Sequence, residues 1–451
     1  MFRKCWLLIP LLLTPLRAQQ AANQEKLLQE VLRRLDNLEQ QNRELIEQVK
    51  ELKEGRAQTA AVSEGPKAGA TAPLEERVNI NEARIAEQAQ TKVESGQKLP
   101  VWLSGTLLFN AFSNSKDPTY AFGQYGLLTG PSPSGATFRQ TTLGMAFEGP
   151  TLPGGGQVRG DLAMDFWAGP PNPSDNWLRI RKAGITLDWV NRSVFFGQDK
   201  PLISPYEPNS LAEVGVPPLA GAGNLWFWVP QVRFEEKIHL SANSGINAQV
   251  AALQVGSYLL TESPSTDSSI YTGGARPAFE GRLAFWHKDR HDRKFEFAPG
   301  VHVSSNQVDG AKLMTQIGSV DWSYRPFAKL EWKGTGYYGG NVASLGSLGN
   351  GFYETSEGAL RPVHSAGGWT QFSLPINTLI TLNAFGGVEN DHALGVSSSD
   401  IARSTSFATN AMFHLSANVL LSVEAQRLWT RTFAGFPEAY NHYDLAVAYL
   451  F

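Results

Sequence analysis

Charged side chains that could act on small ions recur at every second position in four stretches of the chain. In 157–167 the large apolar residues Val158, Leu162, Met164 and Phe166 lie at even positions, and the charged residues lie at odd positions. The same separation is found in 230–238, 278–286 and 328–337. Basic side chains that face one water-filled path favour anions through the field that they impose. The residues on the charged parity are Arg159, Asp161, Asp165, Arg233, Glu235, Lys237, Glu280, Arg282, Lys329, Glu331 and Lys333.

Two interpretations of these charges follow from the sequence. In the first, Arg159, Arg233 and Arg282 line a constriction and select anions, with Lys333 as a further candidate. In the second, the basic residues pair with neighbouring carboxylates across strands and stabilise a polar wall. The sequence leaves both interpretations open.

The densest basic cluster is formed by Arg179, Arg181 and Lys182. In a regular strand Arg179 and Arg181 would lie on the same face as Ile185 and Leu187. One regular strand therefore cannot turn the two arginines to the lumen and the two apolar residues to lipid. Either a bulge or a position near a rim would explain the conflict. We also expect Lys200, which opens a long Pro-rich stretch, to reach the same path.

No pattern of residues indicates an enzyme, a cofactor or a metal site. The chain has eight His residues, but none has metal-ligand spacing, and the HExxH pattern is absent. No nucleophile elbow, phosphate-binding loop or dinucleotide fingerprint is present. Asp391 and His392 stand together without an identifiable serine partner. The single cysteine, Cys5, lies in a segment that we expect to be removed.

The elements that would position these residues are β-strands, because the hydrophobic period becomes two after Pro100. About sixteen antiparallel strands are predicted, an even number typical of single-chain transmembrane barrels. The joins between them alternate between short turns and long loops, as in outer-membrane barrels. The predicted strands are 101–113, 137–148, 156–167, 176–189, 192–199, 230–241, 245–255, 277–288, 293–304, 312–324, 327–339, 366–376, 378–388, 402–414, 418–430 and 440–451.

The final strand favours the barrel over a soluble β-sandwich. Its outward parity is apolar and aromatic, and the chain ends on an aromatic residue. A bare apolar edge invites aggregation in a soluble protein, whereas a closed barrel pairs that edge and turns its outer face to lipid. We interpret Tyr443, Leu445, Val447, Tyr449 and Phe451 as a lipid-facing row and a C-terminal sorting signal for a barrel-assembly machinery.

The first hundred residues predict three segments before a barrel at 100–451. Residues 1–18 have the positive and apolar regions of a secretory signal peptide. Residues 24–54 have four heptads of a coiled coil, with apolar e positions that favour a trimer. Residues 55–99 form a linker with a second short helix. The coiled-coil core positions are Leu28, Val31, Leu35, Leu38, Asn42, Leu45, Val49 and Leu52.

The long loop 200–229 is rich in Pro, Gly and Trp. A barrel of sixteen strands would enclose a wide lumen. We expect this loop to fold inward and narrow the lumen, although an external loop at a subunit interface is the alternative. The net charge of −3 argues against nucleic acid as a partner.

The chain resembles the sixteen-stranded trimeric porins that carry a periplasmic coiled coil, the dicarboxylate-type (DcaP-like) porins. More distantly it resembles the phosphate-selective porins. The resemblance rests on the signal peptide and coil, on Phe195-Phe196-Gly197-Gln198, on the following loop, and on Trp228-Val229-Pro230-Gln231-Val232-Arg233. Asp199-Lys200-Pro201 stands where this group commonly has an aromatic residue. The resemblance implies a homotrimer in the bacterial outer membrane, with its coil in the periplasm and its barrels in contact with lipid.

The sequence leaves three functions open. The first is a porin for passive diffusion of small hydrophilic anions such as carboxylates or phosphate-like solutes. The second is a structural anchor whose coil tethers the outer membrane to the cell wall. The third is an outer-membrane hydrolase, which would need a nucleophile and base that the sequence does not show.

Overall fold

The computed structural model describes residues 101–115, 134–168, 177–255, 277–291, 293–308, 311–327, 329–349, 351–355, 357–393 and 400–451. The predicted signal peptide at 1–18, the coiled coil at 24–54 with its eight core positions, and the linker at 55–99 lie outside the described residues. Among the described residues, no helix is both long and apolar enough to cross a membrane.

Nineteen strands and two short 3-10 helices form the described part of the chain. The helices are Pro153–Gly155 and Val342–Leu345. The strands are β1 (Val101–Asn114), β2 (Ser134–Thr137), β3 (Thr142–Leu152), β4 (Gly156–Ala168), β5 (Trp177–Asp188), β6 (Arg192–Asp199), β7 (Val229–Ser241), β8 (Ser244–Leu253), β9 (Ala278–Lys288), β10 (Lys294–Val308), β11 (Ala311–Phe327), β12 (Leu330–Gly340), β13 (Phe352–Glu354), β14 (Leu360–Pro362), β15 (His364–Pro375), β16 (Ile380–His392), β17 (Ile401–His414), β18 (Val419–Thr432) and β19 (Pro437–Leu450).

Sixteen of these strands close into one antiparallel barrel, which confirms the barrel part of the predicted fold. Each strand pairs with its neighbour along the chain, and β19 pairs with β1 from Thr106 opposite Leu450 to Asn114 opposite His442. The C-terminal residue completes the seam, because Gly105 N donates to Phe451 O at 3.0 Å and Phe451 N donates to Gly105 O at 3.1 Å. Outside this barrel, β2 is a short strand beside β1, and β13 and β14 form a separate pair.

The predicted strand boundaries lie within four residues of those in the structure, and one predicted strand is divided. The strand predicted at 137–148 is divided, since β2 ends at Thr137 and β3 begins at Thr142. A turn separates them, in which Thr141 N donates to Phe138 O at 3.0 Å. This turn carries Arg139 and Gln140, which are both buried against the interior of the barrel.

The barrel has an apolar exterior and a largely polar interior. In β19 the outward residues Tyr443, Leu445 and Val447 are exposed, whereas Asp444 is buried. This distribution is the reverse of that in a soluble protein and suits a sheet whose outer face meets lipid. The short turns, including 189–191 and 242–243, lie at the end of the barrel that holds the C terminus. We call it the short-turn end and the opposite end the long-loop end.

Candidate functional site

Residues 200–228, here called the inner loop, join β6 to β7 and fold into the barrel. Most of the segment 201–225 is buried, although it contains no strand of the sheet. A loop outside the barrel would leave its backbone exposed, so burial of this length requires partners for its polar groups. The inward fold that the sequence predicted is therefore confirmed.

Gln140 anchors the middle of the inner loop through both ends of its amide. Its Nε2 donates to Ala212 O at 2.6 Å, and its Oε1 accepts from Val214 N at 2.5 Å and Gly215 N at 2.8 Å. Asn110 on β1 adds a bond from its Nδ2 to Leu211 O at 2.7 Å. Because these bonds satisfy buried backbone groups, they fix the loop against β1 and the turn before β3.

The preceding part of the inner loop is bonded to β15, β17 and β18, which lie across the lumen from the β6 and β7 strands that the loop joins. Ser210 Oγ donates to Glu424 on β18 at 2.6 Å, and Asn410 Nδ2 on β17 donates to Asn209 O at 2.8 Å. Asn209 N donates to Gln371 Oε1 on β15 at 2.5 Å. These side chains project inward from three strands, so the loop is held across the full width of the lumen.

The tip of the inner loop packs closely on the same arc. Leu219 and Ala222 join a buried apolar cluster that includes Trp369 and Phe385. At Gly387 an added Cβ would lie 2.1 Å from Ala222 O, which is closer than real Cβ contacts allow. Glycine is therefore required there by the close approach of the two backbones. We call the inward face of β15–β19 in this region the sealed wall.

The start of the inner loop is fixed to β9 and β10. Leu202 N donates to Glu280 Oε2 at 2.6 Å, and Tyr206 OH donates to Glu296 Oε1 at 3.1 Å. Water reaches the arc of the wall formed by β4–β7, where several charged side chains are only partly buried. The side chains of Asp161 and Lys182 are 32% and 39% exposed, compared with 2% for Glu424 on the sealed wall.

A β-bulge in β5 explains the conflicting parity of the basic cluster. Ala163 is opposite Lys182 but Met164 is opposite Ile180, so Arg181 is an extra residue in β5. The extra residue turns Arg179, Arg181 and Lys182 inward together, while Ile185 beyond the bulge keeps its outward position. Of the two explanations open to the sequence, the bulge is the one found.

Asp165 on β4 is the carboxylate around which the arginines gather. It is fully buried and accepts from Arg179 Nε at 3.1 Å and Arg179 Nη2 at 2.6 Å. Arg181 Nε lies 3.8 Å from the same carboxylate, and Arg139 interacts with it electrostatically. Arg179 Nη2 also donates to Gly215 O of the inner loop. Three guanidinium groups thus share one carboxylate, which leaves an excess of positive charge.

Trp228 covers two of these arginines at the end of the inner loop. The guanidinium carbons of Arg179 and Arg181 lie 5.1 and 4.6 Å from its ring centroid. Arg139 is placed in the same way, 4.7 Å from the ring of Trp167. An aromatic face stabilises a cation without neutralising it, so the positive field persists while the side chains are held in place.

Lys182 and Arg233 continue the positive surface toward β6 and β7. Lys182 Nζ lies 3.2 Å from Asp161 Oδ2 and 3.6 Å from Asp199 Oδ2. Arg233 Nη2 lies 3.1 Å from Asp199 Oδ2, and its guanidinium carbon is 4.8 Å from the ring of Phe195. Lys182 and Arg233 are thus matched by two carboxylates, Asp161 and Asp199, so the positive excess of the strip comes from the arginines around Asp165.

Lys200 and Glu207 form an ion pair within the inner loop, with Lys200 Nζ 2.6 Å from Glu207 Oε1. Burial raises the pKa of Glu207, but Lys200, Arg181 and Lys333 outweigh that effect, so the pKa lies below its usual value. Burial lowers the pKa of Lys200, and Glu207 partly offsets the change. Lys333 Nζ donates to Asn209 Oδ1 at 2.9 Å from the facing wall. We call Arg179, Arg181, Lys182, Lys200 and Arg233 the basic strip.

Arg282 and Arg159 do not join the basic strip. Arg282 is 6% exposed and donates to Asp321 Oδ1 at 2.6 Å and Glu296 Oε1 at 2.9 Å. Arg159 is 55% exposed and lies 3.5 Å from Asp188 near the short-turn end. The ion-pair interpretation therefore describes Arg282 and Arg159 better than the constriction interpretation.

Sequence reasoning placed Arg179, Arg181, Lys200, Arg233 and Lys333 among the candidate residues, and the structure brings them around the inner loop. It named Lys182 in the basic cluster and Trp228 in the resemblance without listing either as a pore residue, and it did not single out Arg139 or Glu207. Lys182 was hidden by the bulge, because a regular strand would turn it outward. For Arg139 no local signal was available, since its inward position depends on the turn between β2 and β3.

Within the described ranges, no group of three or more His, Cys, Asp or Glu side chains is arranged to hold a metal ion. The lumen instead presents an electrostatic field from charged side chains that are held in place. Paired and stacked cations line a partly hydrated surface, and the inner loop narrows the space beside it. Such a surface can bind and release a small anion without making or breaking a covalent bond.

No protein-family model matches the chain, and no curated protein matches its sequence. Its structure is similar to that of the outer membrane channel DcaP of Acinetobacter baumannii. The TM-score is 0.64 at 17% sequence identity, over 78% of this chain and 97% of that one. It is also similar to an anion-selective porin from Comamonas acidovorans, with a TM-score of 0.52 and 13% identity over 78% of this chain and 100% of that one. The fold is that of the outer-membrane porins. The resemblance to the DcaP-like group is confirmed at the level of the fold.

Proposed function

We propose that the protein is an outer-membrane porin through which small hydrophilic anions diffuse passively. The observation that carries the proposal is the basic strip beside an inner loop fixed across a closed barrel. A channel needs a continuous wall, a hydrated path and a constriction whose charge selects the solute. The barrel, the partly exposed strip and the inner loop supply these three features in turn.

The preference for anions is argued from the balance of charge along the strip. Arg139, Arg179 and Arg181 share Asp165, and Lys182 and Arg233 share Asp199. Asp161 also pairs with Lys182, and Glu207 pairs with Lys200. The basic strip and Arg139 together supply six cations against these four carboxylates, so two positive charges are in surplus. In a space of low effective dielectric the surplus positive charge attracts anions over several ångströms. The solved porin from Comamonas acidovorans is described as anion-selective, which agrees with this assignment for the fold.

The rest of the assembly follows from the same proposal. The barrel lies in the bacterial outer membrane with its short-turn end toward the periplasm, where the coil at 24–54 holds three copies together. The outward row that ends at Phe451 faces lipid and acts as the sorting signal for the barrel-assembly machinery. Solutes are moved and not chemically changed, so no catalytic residue or cofactor is assigned.

The test is single-channel recording of the refolded full-length protein in a planar bilayer, with a KCl gradient across it. We expect conductance steps in groups of three and a reversal potential on the side of chloride. A folded protein without conductance would overturn the channel and favour the structural anchor. A reversal potential on the side of potassium would keep the channel and overturn the anion preference.

A further inference from the structure

Two arginines stand directly opposite one another on the outer face of the barrel. Arg403 on β17 is the register partner of Arg431 on β18. Both are exposed and share a face with Phe407, whereas their neighbours Ser404 and Thr430 point inward and are buried. Like charges at directly opposed positions of a sheet repel each other and destabilise the pair of strands. We call Arg403 and Arg431 the outer arginine pair.

Among the described residues, no carboxylate pairs with the outer arginine pair to offset this repulsion. Within β15–β19, Glu389, Asp391, Glu424 and Asp444 project inward and are buried, and Glu438 is exposed but stands opposite the inward Thr430. Asp400 precedes β17 and accepts a hydrogen bond from Phe433 N through its backbone oxygen. No described carboxylate forms an ion pair with either arginine. By contrast, Arg192 on the outer face near the short-turn end lies 3.3 Å from Glu236, its register partner.

The surroundings of the outer arginine pair are polar or aromatic. Asn390 on β16 is the register partner of Arg403 on its other side, so an amide stands in the same row. On β18 the next outward residue is Trp429, and the guanidinium carbon of Arg427 lies 5.1 Å from its ring. Exposed tryptophan and arginine side chains at one height are typical of the level of lipid headgroups.

The outer arginine pair lies at the long-loop end of its strands. Arg403 is the third residue of β17, and Arg431 is the last residue but one of β18. A lipid-facing arginine is strongly destabilising at the bilayer midplane but nearly neutral near the interface, so this height is tolerated. In the orientation of the proposed porin, the long-loop end faces the outer leaflet.

We propose that the outer arginine pair, with Arg427, binds the phosphate-bearing headgroup of an anionic lipid in the outer leaflet. Two guanidinium groups at directly opposed positions can both donate to the oxygens of one phosphate, and the bound anion removes their mutual repulsion. The proposal rests on the placement of the barrel in the membrane and does not depend on conductance through the lumen.

The test uses purified full-length protein in zwitterionic detergent, titrated with synthetic bis-phosphorylated lipid A, with bound lipid counted by native mass spectrometry. The variant is Arg403→Gln with Arg431→Gln, and the matched control is Arg192→Gln with Glu236→Gln at the other end. We expect the first variant to bind the lipid about tenfold to thirtyfold more weakly, at about 1 kcal/mol per basic residue. We expect the control to bind like the wild type.

A second arm uses the dephosphorylated lipid, which we expect to bind wild type and variant equally and weakly. Heat-modifiable migration on gels and channel conductance report whether each variant is folded, and both should match the wild type. Equal binding of bis-phosphorylated lipid by wild type and variant would overturn the proposal, as would equal affinity for inorganic phosphate alone. Smaller oligomers with unchanged lipid binding would also overturn it and assign the pair to a subunit contact.

Discussion

The two arcs of the lumen wall differ in how they contact the inner loop and in how far they are exposed to water. On the sealed wall, Glu424 and Asn410 bond to the loop and are 2% and 4% exposed. On β4–β7 the facing side chains stay partly exposed, with Arg179 and Arg233 each at 23%. The same loop is thus anchored at one edge and lines a hydrated surface at the other. Polar residues on the sealed wall stabilise the loop, whereas the basic strip stays partly exposed to solutes, although Arg179 also donates to Gly215 O of the loop.

The first prediction removes the charge of the hydrated arc. Arg179→Gln with Arg181→Gln should lower the chloride-to-potassium permeability ratio by about fivefold, since each of the two charges contributes on the order of 0.5 kcal/mol to an ion about 8 Å away across water. Reversal potentials under a KCl gradient measure the ratio. An unchanged ratio in a protein with normal single-channel conductance would show that selection occurs elsewhere.

The second prediction loosens the anchored arc. Gly387→Ala places a Cβ 2.1 Å from Ala222 O, so the tip of the inner loop must move. We expect a loss of about 1–3 kcal/mol in stability from overpacking, together with noisier and altered conductance. The control is Gly318→Ala, where an added Cβ meets no atom within 4 Å. If both variants record like the wild type, the loop tip is not held where we describe it.

The third prediction alters one carboxylate of the loop. Glu207→Gln should raise the chloride preference about twofold at neutral pH, because Lys200 and Arg181 lose a neighbouring negative charge. In the wild type the same rise should come with acid. Because the pKa of Glu207 is lowered, Glu207 stays charged until the pH falls below the usual glutamate value of about 4.3. Selectivity recorded from pH 7 to pH 3 tests this, and a rise that persists in Glu207→Gln would assign it to another group.

The smallest effect is expected at Arg159. It lies near the short-turn end with a side chain 55% exposed to solvent. Its field is screened by salt within a Debye length of about 8–10 Å, so Arg159→Gln should change the permeability ratio by less than about 1.5-fold. Measuring the permeability ratio at low and high KCl concentration distinguishes a long-range field of Arg159, which salt screens, from direct contact between Arg159 and the permeating ion. A loss as large as that of the double arginine variant would place the selective region at the mouth of the barrel.

The sequence predicted the barrel closely but the constriction only in part. Alternation fixes which face of a strand meets lipid, so β6 and β7 were predicted nearly to the residue. Alternation gives no information on which inward charges pair, and Arg282 was therefore taken as a selectivity residue although it is sequestered by Asp321 and Glu296. The bulge at Arg181 breaks the period that the prediction relied on. The path of the inner loop depends on distant contacts, such as that of Gln140 with Val214, which no local pattern encodes.

The most direct test of the two-arc description is cysteine accessibility during single-channel recording. With Cys5 replaced by Ser, one variant carries Lys182→Cys on the basic strip and the other carries Ser406→Cys on the sealed wall, where Ser406 is 1% exposed. A negatively charged methanethiosulfonate reagent should reduce the conductance of the first variant in steps and leave the second unchanged. Block of Ser406→Cys without block of Lys182→Cys would contradict the account, because it would place the conducting path along the sealed wall.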